Sequence, residues 1–165
     1  MSIVQFDQLP ASARLWIFGC AKLLAEEQVQ RVCASMDAFL QQWTAHNRQL
    51  ATAWQLRYNQ FIFVGVDEQL TGVSGCSIDS LVHHLRKLER ELGLEIVNTS
   101  SKIFYRDTNG AVQCVSRDVF RNLIEDHAVD EDTIVFNNVL QTVEELQEPG
   151  WEVPMKASWH GEAIM

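Results

Sequence analysis

The residues whose types and spacing could support chemistry are concentrated in one segment, Ser74 to His84, which reads SGCSIDSLVHH. Cys76 lies just before a predicted helix, where unpaired amide N–H groups and the helix dipole favour a thiolate. Asp79 and His83 supply the carboxylate and imidazole that accompany a nucleophilic cysteine in many enzymes. Two helical turns, about 11 Å, separate Cys76 from His83, so the two groups cannot share a direct hydrogen bond.

Two other interpretations of this segment remain open. In the first, Cys76 packs as part of a hydrophobic staple, while Asp79 favours the helix dipole and pairs with His83 one turn later. In the second, the glycine-containing bend lets the backbone approach a ligand or anion. The candidate ligand-binding residues are then Gly75, Cys76, Ser77, Asp79 and His83, with Asn138 added from a later segment.

Several classes of protein are disfavoured by the sequence. It contains no Walker A, GxGxxG, GxSxG or HExxH motif, no CxxC pair and no EF-hand spacing, so we expect no cofactor and no metal. The net charge of −9 argues against nucleic-acid binding. No signal-like N-terminus and no apolar run of roughly 20 residues is present, which predicts a cytoplasmic chain without membrane contact and with reduced cysteines.

The hydrophobic patterning predicts the elements that must position these residues. Apolar residues recur at helical spacing over 24–43 and 77–92, with Ser77 as N-cap and Gly93 as the stop of the second helix. Strands are expected at 14–20, 51–58, 61–67 and 102–107. The order strand, helix, strand, strand, helix, strand predicts an α+β fold, with a ferredoxin-like split βαβ antiparallel sheet and both helices on one face.

A smaller second unit is expected after residue 100, so the predicted domains are 1–100 and 101–165. Asn109-Gly110 indicates a hairpin, Ser116 heads a short helix, and a brief strand follows at 133–136. The remaining tail contains Trp151 and Trp159, which either form a groove for an extended or proline-rich peptide or fill the core. If they form the groove, Trp151 and Trp159 are partner-binding residues, and this is the role we expect.

Five blocks of sequence carry a resemblance to a known family. They are FDQLPASARLWIF, YNQFIFVGVDE, SGCSIDSLVHHLRKLE, DTIVFNN and W-x-V-P…S-W. The chain resembles, over almost its whole length, an uncharacterised bacterial family seen mainly in Bacteroidetes-type genomes and often labelled "ABC transporter ATPase". The resemblance highlights Cys76, Ser77, Asp79, His83 and Asn137-Asn138. Because Walker A is absent, the resemblance does not imply nucleotide hydrolysis.

Residues 104–159 also resemble GYF-like domains, which are associated with peptide or protein binding. The similarity rests on the hairpin, the helix headed by SRDVFRNLIEDH, the segment DEDTIVFNN and the Trp-Pro close. Phe136 stands where tryptophan is common in that family. This resemblance implies a GYF-like C-terminal unit and a protein or peptide partner.

The leading functional hypothesis is therefore a non-catalytic cytoplasmic binding or adaptor protein. The alternative is a thiol-dependent enzyme that uses Cys76 at a helix N-terminus, with an acid or base supplied by His83, His84 or Asn138. The sequence indicates neither the partner nor the oligomeric state.

Overall fold

The computed structural model describes residues 4–46, 51–67 and 75–164 and has an α+β architecture. Its seven strands are β1 (Arg14–Gly19), β2 (Ala51–Arg57), β3 (Phe61–Asp67), β4 (Ile103–Arg106), β5 (Val112–Val115), β6 (Ile134–Phe136) and β7 (Glu152–Pro154). The α-helices of the described residues are α1 (Glu26–His46), α2 (Gly75–Leu92), α3 (Arg117–Glu125) and α4 (Trp159–Ala163). Short 3-10 turns occupy Phe6–Gln8, Asn98–Ser101, Val143–Leu146 and Met155–Ala157.

The first sheet is antiparallel and has the strand order β1-β3-β2. β3 lies in its centre and is buried on both faces, as its uninterrupted apolar sequence predicts. Because side chains alternate along a strand, Ile62, Val64 and Val66 face one side of the sheet while Phe61 and Phe63 face the other. The sheet therefore needs a covering layer on each of its faces.

Helices α1 and α2 cover the face that carries Ile62. The helical periodicity is confirmed at most of the predicted apolar positions, since seven of the twelve are fully or almost fully buried against this face and the other five are partly buried. The seven are Val32, Met36, Leu40, Trp43, Leu81, Leu85 and Leu88. Both helices lie on one face of the sheet, as expected.

The second sheet covers the opposite face and has the antiparallel order β5-β4-β6-β7. This position of β4 corrects the prediction of a four-stranded ferredoxin-like sheet, in which residues 102–107 would join the first sheet. The Asn109-Gly110 turn ties β4 to β5, with the Gly110 N–H donating to the Asp107 carbonyl and φ of Gly110 at 81°. The described residues consequently form two sheets, one of three strands and one of four.

The local signals at the element ends are confirmed in part. Gly93 ends α2 with φ of 69°, and Ser116 caps α3 by accepting a hydrogen bond from the Val119 N–H at 3.2 Å. Ser77 is not the N-cap of α2, because that helix begins two residues earlier at Gly75. Helix α2 thus begins earlier in the chain than the predicted Ser77 cap indicates.

An aromatic cluster joins the two sheets. Trp151, which is 4% exposed, lies with its ring centre 5.0 Å from Phe61, 4.8 Å from Phe63 and 5.0 Å from Phe136. Phe104 of β4 packs on Gly19, where a Cβ atom would collide with its ring. One core cluster therefore contains residues from both sides of residue 100, and the domain boundary predicted there remains a prediction.

No helix within the described ranges has both the length and the apolar character that crossing a bilayer requires.

The position of Trp151 predicts a large effect on stability. We expect Trp151→Ala to lower the free energy of unfolding by about 3–5 kcal/mol, because it removes a buried indole between two sheets. The matched control is Trp54→Ala, since Trp54 is only partly buried and its Nε1 donates to the exposed Asp37 at 2.7 Å. Urea unfolding followed by circular dichroism measures both variants. Equal losses for the two would show that Trp151 does not hold the sheets together.

Candidate functional site

The segment that the sequence singled out begins α2. Gly75 is the first residue of this helix and Cys76 the second. Residues 72–74 and the side chain of Cys76 lie outside the described part of the chain. The candidate nucleophile therefore stays a prediction.

The first turn of α2 packs against the end of α1. Ser77 is 7% exposed, and its carbonyl accepts a hydrogen bond from the Trp43 Nε1–H at 3.1 Å. Trp43 is itself buried. One side of this helix end is therefore closed by a neighbouring element, which leaves less of it open to a ligand than the sequence suggested.

The remaining polar residues of the segment point in different directions. Asp79 and His83 are exposed and form no ion pair with each other. His84, in contrast, is half-buried and hydrogen bonds to Ser35 Oγ at 2.8 Å while stacking on Phe39 at 4.5 Å. Burial lowers the pKa of His84, which keeps its imidazole neutral between the two helices. The described part of this segment does not assemble a catalytic set of side chains.

Two other residues highlighted by the sequence do come together. Asn138 and Trp159 line one cavity of about 230 Å³ between the two sheets. Its wall also includes residues from β1, from the stretch 96–102 and from the end of β6. An adjoining cleft of about 240 Å³ continues along β1 past Asn138 and Val139. Together we call these two spaces the β1 cleft.

The backbone of β1 is incompletely paired along this cleft. The Leu15 N–H donates to the Gln141 carbonyl at 2.9 Å, so it points away from β3. Alternate residues of an antiparallel strand point their N–H and C=O groups the same way, which directs those of Ile17 and Gly19 into the cleft. Gly19 accepts a hydrogen bond from Thr99 Oγ1 at 2.6 Å. Among the residues that the structure describes, Ile17 makes no backbone hydrogen bond on this side.

Side-chain donors in the β1 cleft also lack partners. Trp159 Nε1 is buried and makes no hydrogen bond with any described residue. Asn138 Oδ1 accepts from Trp151 Nε1 at 2.8 Å, and the Asn138 amide N–H groups form no hydrogen bond within the described ranges. An unpaired buried donor lowers stability by about 1–3 kcal/mol, so such groups are candidates for binding a ligand.

Charge and polarity differ between the ends and the middle of the β1 cleft. Arg14 lines one end and Lys102 the other, where Lys102 forms a long ion pair of 3.8 Å with Glu95. Apolar residues, among them Val139 with 60% of its surface exposed, line the space between them. This arrangement suits a ligand with an apolar body and acceptor or acidic groups toward its ends.

His160 forms part of the cavity wall. Its Nδ1 lies 2.7 Å from Ser158 Oγ, which also accepts the His160 N–H at 3.1 Å and caps α4. Burial and the nearby Arg117 lower the pKa of His160 to about 4. The Ser158–His160 pair is therefore a neutral helix cap, and it contributes a polar but uncharged surface to the cavity.

Trp151 does not share the environment of Trp159. Its indole lies in the aromatic cluster with 4% of its surface exposed and donates its N–H to Asn138, and its role in partner binding stays a prediction. Trp159 is partly exposed, and Arg117 lies over its ring at 5.2 Å. Of the two predicted partner-binding tryptophans, Trp159 lines the β1 cleft and Trp151 supports its wall.

Metal ligation has no candidate among residues 4–46, 51–67 and 75–164, where no group of three His, Cys, Asp or Glu side chains is close enough to hold an ion. None of the family models, curated proteins or solved structures compared with the chain matches it.

Sequence reasoning did not identify the contribution of Ile17 and Lys102 to this site. Ile17 contributes its backbone, and no residue type marks a strand edge that is left unpaired. Lys102 was placed at the start of a strand in the first sheet, whereas it precedes β4 of the second sheet. The one available signal was that residues 102–107 are needed twice, as the fourth strand of the first sheet and as the first strand of the Asn109-Gly110 hairpin, whereas one strand can complete only one sheet.

The neutral state of His160 predicts a pH dependence of stability. Its pKa is about 4 in the folded protein and about 6.5 when unperturbed, so only the unfolded chain binds this proton between those values. The stabilisation is complete above about pH 6.5 and is lost as the pH falls to about 4. We expect the free energy of unfolding to drop by about 2–3 kcal/mol across this window.

Urea unfolding at several pH values measures this drop, and NMR titration of the imidazole reports the pKa directly. His160→Gln is the control, because it retains a polar side chain but cannot titrate, and its stability should vary less over the same window. An imidazole that titrates at its ordinary pKa in the folded protein would contradict the prediction.

Proposed function

We propose that this protein is a non-catalytic cytoplasmic binding or adaptor protein that holds an extended segment of a protein partner in the β1 cleft. The observation that carries the proposal is the edge of β1 at Ile17, which has no partner among the described residues and lines the same cavity as Trp159. An extended peptide supplies alternating backbone donors and acceptors, which is the chemistry that an open strand edge recognises.

Charge and shape support a peptide over a compact ligand. The β1 cleft is elongated, because the cavity and the adjoining cleft share Ile17, Phe18, Asn138 and Val139. Arg14 and Lys102 at its two ends favour a segment with acidic residues flanking an apolar centre. Neither space alone reaches the roughly 300 Å³ at which pockets for drug-sized ligands begin.

We infer two finer features of the architecture, a ferredoxin-like first unit and a GYF-like second unit. The order β1-α1-β2-β3-α2 with both helices on one face supports a three-stranded variant of the ferredoxin-like arrangement. The hairpin, α3 and the short strand β6 support a GYF-like second unit. Membership of the bacterial family is likewise a proposal, and the five sequence blocks support it. Reduced cysteines fit the proposed cytoplasmic location, and Cys20, Cys33 and Cys114 are all unpaired.

A single charge at the mouth of the cleft tests the binding proposal. We expect Val139→Glu to weaken partner capture by about 10- to 100-fold, because it places a carboxylate on an apolar wall that the partner must cover. Val119→Glu is the matched control, since Val119 is also an exposed valine but lies on α3 outside the cleft. Quantitative pull-down with the full chain as bait measures both variants.

The mode of binding is checked on a peptide made from the captured partner. Bound peptide should slow amide hydrogen exchange at Ile17, and Trp159→Phe, which lacks the indole N–H, should bind it more weakly. Unchanged capture by Val139→Glu, or binding without protection of Ile17, would contradict a β1-cleft interface.

The alternative function is a thiol-dependent enzyme that uses Cys76. It is favoured by one observation, the position of Cys76 at the second residue of α2, where the helix dipole stabilises a thiolate. If this alternative holds, Cys76 is alkylated rapidly by iodoacetamide at pH 6 and Cys76→Ser removes the fast phase. Burial raises the pKa of Cys20 to about 12 and that of Cys114 to about 11, so these thiols react slowly. Slow alkylation of every cysteine at pH 6 would contradict the enzyme alternative, and only the binding function would then stand as a proposal.

A further inference from the structure

A second surface, separate from the β1 cleft, lies beside the turn between β2 and β3. It is an open groove of about 500 Å³, and its walls include Arg57, Tyr58, Pro149, Trp151 and Glu152. We call it the Arg57 groove. Tyr58 contributes the most exposed aromatic ring of this surface, with half of its area accessible.

The guanidinium of Arg57 is held on aromatic rings. Its central carbon lies 4.4 Å from the centre of the Phe63 ring and 5.7 Å from that of Trp151. Its Nε–H donates to Gln55 Oε1 at 2.7 Å, which fixes the orientation of the planar group. Burial lowers the pKa of Arg57, although a guanidinium stays charged at neutral pH.

This charge has no counter-ion. No carboxylate lies within ion-pair distance of Arg57 in the part of the chain that the structure describes, and the terminal N–H groups of its guanidinium make no hydrogen bond there. A half-buried arginine usually directs these N–H groups at a carboxylate or a phosphate. The arrangement therefore leaves open the two parallel donors that such a group would accept.

The neighbouring arginine shows the contrast. Arg106 lies over Tyr58 and Phe136, at 4.8 and 5.3 Å, and forms an ion pair through its Nε with Glu152 Oε1. The other carboxylate oxygen of Glu152 accepts the Tyr58 hydroxyl at 2.7 Å. Both oxygens of Glu152 are thus already engaged, and this carboxylate does not neutralise Arg57.

We propose that the Arg57 groove binds an oxyanion, a carboxylate or a phosphate ester, attached to an apolar group that packs against the exposed part of Tyr58. The Arg57 guanidinium accepts the oxyanion through its terminal N–H groups, and the aromatic rings beneath it fix the plane of approach. The hydrogen bond from Tyr58 to Glu152 and the stacking of Tyr58 on Trp151, at 5.7 Å between ring centres, hold the adjacent wall in place. This site is independent of the β1 cleft.

NMR titration of the full ¹⁵N-labelled chain tests the proposal with three probes: benzoate, phenyl phosphate and benzamide. Benzamide has the ring and shape of benzoate without its charge. We expect one of the anions to shift the Arg57 Nε–H signal with a dissociation constant of about 1 mM, and benzamide to bind at least tenfold more weakly. Whichever anion binds more tightly identifies the class, carboxylate or phosphate ester.

Substitution of the arginine provides the second arm of the experiment. Arg57→Met keeps an unbranched apolar side chain on Phe63 but lacks the charge and donors, so we expect at least a tenfold loss of anion affinity, followed on the Tyr58 amide signal. Arg57→Lys keeps the charge without the planar fork and should lose less. Arg31→Met is the matched control, because Arg31 is an arginine of α1 that lines neither the Arg57 groove nor the β1 cleft and pairs with Glu91 at 3.6 Å, and it should bind as the natural chain does.

Three outcomes would overturn the proposal. They are equal affinity for benzoate and benzamide, full anion affinity in Arg57→Met, and no anion binding below about 20 mM. The first and third need only the natural chain, so they remain decisive even if Arg57→Met does not fold. A loss of binding at the β1 cleft would leave this result unaffected.

Discussion

The burial of β3 on both faces is the constraint on which the rest of the structure depends. Phe61 to Val66 are all fully or nearly fully buried, and an antiparallel strand of this kind is stable only when layers cover both sides. Helices α1 and α2 provide one layer. The second sheet, with Phe136 and Trp151 facing Phe61, provides the other. Separation of the two sheets would expose this aromatic surface, so the second unit also forms part of the core of the first.

This constraint explains why β1 keeps an open edge. β4 is the strand that a ferredoxin-like sheet would place beside β1, but it is needed in the layer that covers Phe61. The segment that replaces it pairs with β1 only near Arg14 and Leu15, through Thr142 and Gln141. Beyond that point the two segments diverge, and the backbone of Ile17 makes no hydrogen bond on this side with any described residue. The β1 cleft is thus a direct consequence of where β4 lies.

The sequence predicts the elements better than their assembly. The helical stripe containing Leu81 and Leu85, the Asn109-Gly110 turn and the apolar run of β3 each carry a local signal, and the structure confirms all three. Which sheet receives β4 is indicated only indirectly, by the hairpin that it forms with β5, because its own residues fit either sheet. The fate of Trp151 is also non-local, since an indole near a proline fits an exposed groove and a buried cluster alike.

The candidate sites also divide into those that the local sequence indicates and those that only the tertiary structure reveals. Cys76 and His83 were identified by residue type and by spacing within one helix, which is information that the sequence contains. Ile17 and Trp159 line the same cavity although 142 positions of the chain separate them, and neither residue type indicates this. An unpaired strand edge and an uncompensated charge are both recognised by the absence of a neighbouring partner group. Such an absence is visible only in the tertiary structure.

Arg57 and Arg106 differ in whether a carboxylate pairs with the guanidinium, and this difference decides which of them can bind a ligand. Both guanidinium groups lie over rings of the cluster that joins the two sheets. Arg106 and Glu152 satisfy each other, so this pair contributes to the wall and leaves no donor for a ligand along that bond. Arg57 obtains attraction from the rings but retains the cost of partial burial, since no anion among the described residues offsets it. An oxyanion bound there, as proposed, would offset that cost, and the energy would contribute to binding affinity.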